Sequence, residues 1–335
     1  MGRWRRRCHP ATRPLAHPPV TDELAEFDRL AALFAAAQAE VERHVIGQRA
    51  VVEQTLVALL AGGHALLVGL PGLAKTRLVK TLGAALGLET RRIQFTPDLV
   101  PSDILGAEVL ETTPEGGRAF RFIPGPVFAE LVMADEINRA SPRTQSALLE
   151  AMAEGQVSAA GETRTLPRPF HVLATQNPIE LEGTYPLPEA QLDRFLLEVR
   201  IGYPAPEDER RILLMPPADT PVAMVATPAD LLAAQAFVAR MPVGSDVVDA
   251  VLATLQALRP AASPAILWGP GPRAGQALIA TARARTFLRG ASAPILADVA
   301  ALLPAVLGHR LRLTWDARAA GQREEALISA AVARL

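Results

Sequence analysis

One stretch, "HALLVGLPGLAKTRLVKTLGAALG" (residues 64–87), limits the possible folds more than any other. A short apolar run from His64 to Val68 meets a Gly/Pro turn, and a helical run follows. Strand, glycine-rich turn and helix in that order are the context of a phosphate-binding loop, G-x-x-x-x-G-K-[ST]. Gly69, Lys75 and Thr76 keep its spacing, but Ala74 precedes the lysine and the second glycine is Gly72. Such a loop works because successive backbone N–H groups converge on phosphate oxygens at the positive end of a helix. Alanine is disfavoured at positive φ, so the loop is expected to hold Ala74 at negative φ.

The lysine carries weight of its own. Of 34 basic residues only Lys75 and Lys80 are lysines. Under a bias towards arginine, a retained lysine suits a compact charge on a flexible stem gripping phosphate. Lys80 is expected to be a solvated surface residue.

Further apolar runs recur at helix-sized intervals: "RRIQF" (91–95), "ELVMAD" (130–135), "FHVLAT" (170–175) and "LLEVRI" (196–201). With 64–68 they predict five strands in a mostly parallel sheet covered by helices on both faces. Residues 22–61 read as helix with a break at "HVIGQ"; Leu24, Phe27, Leu30, Ala31 and Phe34 fall at helical spacing. The stretches 106–122 and 155–166 alternate around Pro-Glu-Gly-Gly and Ala-Gly turns, and read as hairpins set into the α/β unit. After Tyr203 no strand pattern appears, and Ala/Leu-rich helices run to the end. The expected organisation is a disordered basic tail (1–21), an α/β core (22–206) and an all-helical domain (207–335), with the boundary inside 204–228.

Composition excludes several classes. No run of 18 apolar residues exists, so no membrane-spanning helix is expected. Cys8 has no partner for an internal disulfide, which fits a reducing compartment, and a cytoplasmic location is expected. The first twenty residues carry five arginines and no acid, and lack the apolar stretch of a signal peptide. A start further downstream, near Thr21, is an alternative. Beyond that tail 29 bases face 35 acids, which argues against a body built to neutralise DNA phosphates. The six histidines show no metal-ligand spacing.

Two strand ends carry candidate chemistry. "ELVMADEINRA" ends an apolar run on Asp135 and Glu136. In a nucleotide hydrolase the first carboxylate holds Mg2+ opposite the loop hydroxyl, here Thr76. The second can orient and deprotonate the attacking water. Two acids at a strand end are commonly just solvated; placed after the loop and its helix, they read as a site. "FHVLATQNP" ends the next run at Asn177, whose amide can hold that water or a γ-phosphate oxygen. Alone, the Asn-Pro pair is only a turn.

Taken together, "GLPGLAKT", "RIQFTPDLVPSDILGAEVL", "GPVFAELVMADEINRASPRTQSALLEAMAEGQV", "FHVLATQNPIELEGTYPLPEAQLDRFLLEV" and "WGPGPRAGQALI" resemble the MoxR family of AAA+ ATPases, from about Val41 to the C-terminus. Alanine before the loop lysine also occurs in that family. The resemblance implies an αβα P-loop core with a helical lid, the 106–122 hairpin being the insert in helix 2 and the 155–166 hairpin the one before the first sensor. It implies ATP and Mg2+, gripped by Gly69, Pro71, Gly72, Leu73, Ala74, Lys75, Thr76 and Arg77, with Thr76 and Asp135 on the metal. Ile46 and Gly47 of "VIGQ" would lie against the adenine. Glu136 would be the base and Asn177 the first sensor. Arg194 of "QLDRF" would be the arginine finger reaching into a neighbouring subunit. Arg273 of "GPR" would be the second sensor, carried by the lid onto the γ-phosphate. By position alone Arg139, Arg143 and Arg200 are rival fingers.

The resemblance further implies a homo-oligomeric ring, a hexamer, whose hydrolysis cycle remodels or activates client proteins, often ones with a von Willebrand factor A domain. Two rivals stand beside it. A non-hydrolysing switch or scaffold would keep the loop and lose the acid at 136. A DNA-remodelling motor would want basic hairpin tips, and "TTPEGG" and "SAAGE" carry Glu115 and Glu162 with no base.

Overall fold

The five runs at the centre of the chain pair only in parallel. The computed structural model describes residues 20–112, 117–159, 161–180, 183–214 and 221–335. The expected tail, up to residue 19, and the first hairpin's tip, 113–116, lie outside these. In chain order the strands are β1 (Ala65–Gly69), β2 (Thr90–Gln94), the hairpin β3 (Gly106–Thr112) and β4 (Arg118–Pro124), β5 (Leu131–Asp135), the hairpin β6 (Gln156–Ala159) and β7 (Glu162–Thr165), β8 (His171–Gln176) and β9 (Leu197–Ile201). The central sheet runs β2-β5-β8-β1-β9. Its four pairings are parallel, with Gln94 beside Asp135 and Leu131 beside His171.

Burial on both faces explains why these strands are continuous apolar runs. All five residues of β5 are buried. Successive side chains point to opposite faces, so Leu66, Val132, Ala134 and Val172 join one apolar layer and Leu67, Met133, Leu173 and Val199 the other. The first layer is closed by α5 (Pro142–Glu154), through Leu148, Leu149 and Met152. That helix starts on Ser141, whose hydroxyl accepts the Thr144 N–H, and ends at Gly155 in the left-handed region. The short α4 (Pro101–Leu105) lies on the same side, Ile104 being part of that layer.

The second layer is closed by α1 (Val20–His44), α2 (Arg49–Leu60) and α3 (Lys75–Ala85). The break between α1 and α2 turns on Gly47, at φ +74°. A Cβ there would sit 2.8 Å from the Pro204 side chain, so the turn's fit against 204–208 requires glycine. Gln48 fastens the same turn by donating to the Gly202 carbonyl at 2.8 Å.

Past β9 and the short α6 (Glu189–Leu192) that precedes it come α7 (Pro206–Leu213), α8 (Pro228–Arg240), α9 (Ser245–Ala257), α10 (Pro272–Leu288), α11 (Leu296–Leu307), α12 (Trp315–Ala319) and α13 (Glu324–Val332). The helices are accompanied by a two-stranded antiparallel ribbon, β10 (Ile266–Trp268) with β11 (Arg312–Leu313). Strands of three and two residues are too short to show alternation in the sequence. These helices share one apolar cluster with the second layer: Leu231, Leu278, Phe287 and Val306 are buried together with Leu56, Leu59 and Leu60 of α2. Phe27 of α1 meets the Phe287 ring edge-on at 5.3 Å. Among the described residues no helix is long and apolar enough to cross a membrane.

Candidate active site

Two clefts lie at opposite ends of the sheet. The first, about 310 Å³, opens where β1, β5 and β8 end. In open parallel sheets, ligands bind beyond the carboxyl ends of the strands. Pro71, Gly72, Ala74, Lys75, Thr76, Arg77, Asp135, Glu136 and Asn177 line it, together with Thr175, which the sequence did not single out. Gly69 supplies a carbonyl to the loop lysine, whereas Leu73, Ile46 and Gly47 are not among the lining residues.

The loop grips its own lysine: Lys75 Nζ donates to the carbonyls of Gly69 at 2.5 Å and Leu70 at 2.8 Å. Burial holds the ammonium below the ordinary lysine pKa, while Asp135, Glu136 and Glu180 pull the other way. Ala74 sits at φ +60°, which corrects the expected negative value. Left-handed backbone costs an alanine roughly 1–2 kcal/mol. The turn from Gly72, itself at φ +82°, into α3 imposes it. Glu136, at φ +57°, is the other non-glycine residue found there among those described. Both line this cleft. Such strain persists where surrounding structure over-determines the backbone, which is common at functional sites.

The two acids are held differently. Asp135 takes the Thr175 hydroxyl on Oδ1 at 2.6 Å and Arg92 on Oδ2, from Nε at 3.0 Å and from a terminal nitrogen at 2.5 Å. Thr175 in turn accepts the Glu136 N–H at 2.8 Å, locking the two strand ends together. Glu136 accepts from Gln94 at 3.0 Å and from Arg139 at 2.9 Å. Both bonds fall on Oε2, which leaves Oε1 for a water. Arg139, a rival finger by position, thus engages the acid of its own chain. Arg200, another rival, pairs with Glu198 and Glu325, while Arg143 is exposed at the start of α5. Asn177 is buried, and its Nδ2 is without a hydrogen-bond partner. A buried donor left unpaired costs about 1–3 kcal/mol, so this wall of the cleft suits a phosphate oxygen or a water. Lysine, hydroxyl, two carboxylates and this amide form a donor set that fits a magnesium nucleotide.

The second cleft lies at the amino ends of the strands, lined by Gly62, Gly63 and His64 just before β1 and by Asp193, Arg194 and Phe195 just before β9. Arg273 reaches it from α10 and Arg310 from the turn at 308–310. Arg194 is exposed and donates to the Leu149 carbonyl at 2.9 Å. Arg273 lies 3.4 Å from Asp193 and does not line the phosphate-loop cleft of its own chain. The five residues of β1 separate the two clefts, about 16 Å at 3.3 Å per residue. No arginine side chain spans that distance.

Sequence reasoning missed Arg92, Gln94 and Thr175. The first two stand one strand-repeat apart on β2, so they share a face beside β5. The signal was two polar residues alternating within "RRIQF", readable only once the strand order is known.

The chain is similar to several known proteins over most of its length. Residues 64–197 match the family described as ATPase family associated with various cellular activities (AAA), and residues 258–331 match the AAA lid domain. Chaperone MoxR1 of Mycobacterium tuberculosis is 46% identical over 288 residues, 84% of this chain and 76% of that protein. Protein MoxR of Paracoccus denitrificans is 32% identical, over 90% and 94% respectively. A solved structure described as a "putative ATPase", from Cytophaga hutchinsonii, superposes with a TM-score of 0.86 at 34% identity, covering 94% of this chain and 98% of its own.

Proposed function

The chain belongs to the MoxR family of AAA+ ATPases, and we propose that it hydrolyses ATP at sites shared between neighbouring copies of a ring, six-membered as the family resemblance implies. The observation that carries this reading is the separation of the two clefts. The phosphate loop and its acids stand at the carboxyl ends of the strands, while Arg194 and Arg273 stand together at the amino ends. A second copy can place its arginine cleft against the first copy's phosphate loop; one chain cannot.

In this reading Lys75 and the loop N–H groups hold the β- and γ-phosphates, with Thr76 and Asp135 as the metal's protein partners. Bound Mg2+ would offset negative charge on the phosphate oxygens. Asp135, held by Arg92 and Thr175, would be the carboxylate that faces the metal. Glu136 orients and deprotonates the attacking water through Oε1, while Gln94 and Arg139 fix its carboxylate by the other oxygen. The Asn177 amide donates to the γ-phosphate or to that water. The neighbour's Arg194 and Arg273 supply positive charge where negative charge develops.

Work on a client is assigned to the hairpins and to movement of a core (22–206) against a lid (207–335). Leu110 and Phe120 are cross-strand neighbours on the β3–β4 hairpin, and both are exposed. An apolar pair of that kind suits a protein client better than a phosphate backbone. A client with a von Willebrand factor A domain and a cytoplasmic site of action are carried into this proposal from the family resemblance and the composition. Glu136 and its built surroundings weigh against a non-hydrolysing switch.

The test is ATP turnover against protein concentration for wild type, Glu136→Gln and Arg194→Ala. Turnover per subunit should rise with concentration in wild type and fall by at least about a hundredfold in both variants. A wild type that binds ATP yet never turns it over, at any concentration, overturns the reading in favour of a switch.

A further inference from the structure

Arg310 is an arginine with almost no contact with water, at 2% exposure. It sits in a single 3-10 turn, 308–310, between α11 and β11. Burying a guanidinium is costly unless every donor is matched. Here each of the five N–H groups has an acceptor. Nε donates to Asp193 Oδ1 at 2.7 Å. One terminal nitrogen donates to the carbonyls of Val306 at 2.7 Å and Leu196 at 3.1 Å, the other to those of Phe195 at 2.7 Å and Asp193 at 3.4 Å. Four of these five acceptors belong to residues 193–196, the segment that carries Arg194. His309 adds a bond to the same Phe195 carbonyl at 3.1 Å. The other oxygen of Asp193 faces Arg273 at 3.4 Å.

A buried ion pair is weak evidence of stabilisation, since apolar side chains of similar volume often serve as well. What this fork does, and apolar packing does not, is fix one geometry between a C-terminal turn and the backbone on either side of Arg194. Asp193 then ties the same fork to Arg273. We propose that Arg310 and Asp193 form a positioning pair, which sets Arg194 and Arg273 at one spacing for the γ-phosphate held by a neighbouring copy. Neither residue needs to touch the nucleotide. The proposal rests on the reading that the arginine cleft serves the neighbour's site.

The test mixes subunits and follows Mg-ATP turnover. Asp193→Asn and Arg310→Lys alone should lose turnover on the order of ten- to a hundredfold, as losses of supporting contacts do, with ATP binding within about twofold of wild type. Glu136→Gln subunits keep intact arginines, and Arg194→Ala subunits keep an intact phosphate-loop cleft. A mixture of those two should recover turnover above either alone. Each positioning variant should behave like Arg194→Ala: rescued by Glu136→Gln, and not rescued by Arg194→Ala. The proposal is overturned if Asp193→Asn turns over like wild type, loses its own ATP binding, or is not rescued by Glu136→Gln where Arg194→Ala is. If Arg194→Ala itself is not rescued, the shared-site reading fails first, which tells the two failures apart. Should Arg310→Lys not fold, Asp193→Asn, at a partly exposed residue, carries the test by itself.

Discussion

The two clefts are built on opposite plans. The phosphate-loop cleft takes its residues from the ends of β5 and β8 and from the loop and first turn that open α3, so its walls are set by the sheet and the backbone of that turn. The arginine cleft joins residues as far apart as Gly62 and Arg310, and its charges come from the segment before β9, from α10 and from the 308–310 turn. The first can grip a ligand with its own chain. The second has positive charge and, among the described residues lining it, one carboxylate, Asp193, already shared between Arg273 and Arg310. On the proposed function, binding and turnover therefore fall to different parts of the chain.

The comparison breaks most visibly through its two principal cations. Lys75→Ala should abolish ATP binding, whereas Arg194→Ala should leave affinity within about threefold and lower turnover roughly 10³- to 10⁵-fold, the range found for trans arginines. Fluorescent ATP titration and steady-state phosphate release separate the two outcomes. Glu136→Gln should retain binding and lose about 10²- to 10⁴-fold in turnover, as removal of a general base does. Turnover in that variant close to wild type would move the base elsewhere.

Acid sharpens the contrast by striking the amino ends of the strands. His64 accepts the Val172 N–H on Nδ1 and donates from Nε2 to the Met152 carbonyl. His171 donates to the Gly63 carbonyl and faces Gln235 of α8. Burial pushes both down to about 4, and His309 to about 3 with Arg310 adding to the effect. All three lie below the ordinary histidine value in the folded chain, so the unfolded chain takes up protons first. Their contribution is full above about pH 6.5 and is lost as the pH falls towards 4. The loss is on the order of 2 kcal/mol per histidine between pH 6.5 and 5. Denaturant melts across that range should show it. Amide exchange at Val172 should rise before exchange in the phosphate loop does.

The smallest expected effect is Ala74→Gly. Glycine relieves the left-handed strain but gains freedom in the unfolded chain, and the two offset to within about 1 kcal/mol. ATP affinity should change less than about threefold. A larger change would mean that the alanine methyl takes part in shaping the loop.

The same split explains what could be read from the sequence. Buried parallel strands leave continuous apolar runs, so all five central strands and their α/β context were legible. The phosphate loop was legible because backbone geometry forces glycines and a lysine into fixed spacing. Ala74 defeated a local rule because the loop as a whole dictates its φ. Arg92 and Gln94 looked like ordinary strand polarity until β2 was seen beside β5. Arg139 was one arginine among many, and only the three-residue step back to Glu136 gives it a task. Arg310 was invisible, since an arginine in "GHRLRL" reads as surface and nothing local reveals that residues 193–196 enclose it. Arg273 was placed by analogy on a γ-phosphate, and nothing local in the sequence shows that the packing of the C-terminal helices on α1 and α2 sets it beside Asp193.

That packing bears on how the protein can be taken apart in the laboratory. The apolar cluster is continuous from α1 and α2 into α8, α10 and α11. A fragment ending at residue 206 would uncover the part of this apolar cluster on α1 and α2 that those helices complete, an oily surface of the sort that drives aggregation. Cutting at the boundary drawn by the motifs therefore yields neither a binding domain nor a lid, but two sticky halves. Point substitutions in the intact chain are the scale at which this molecule can be dissected.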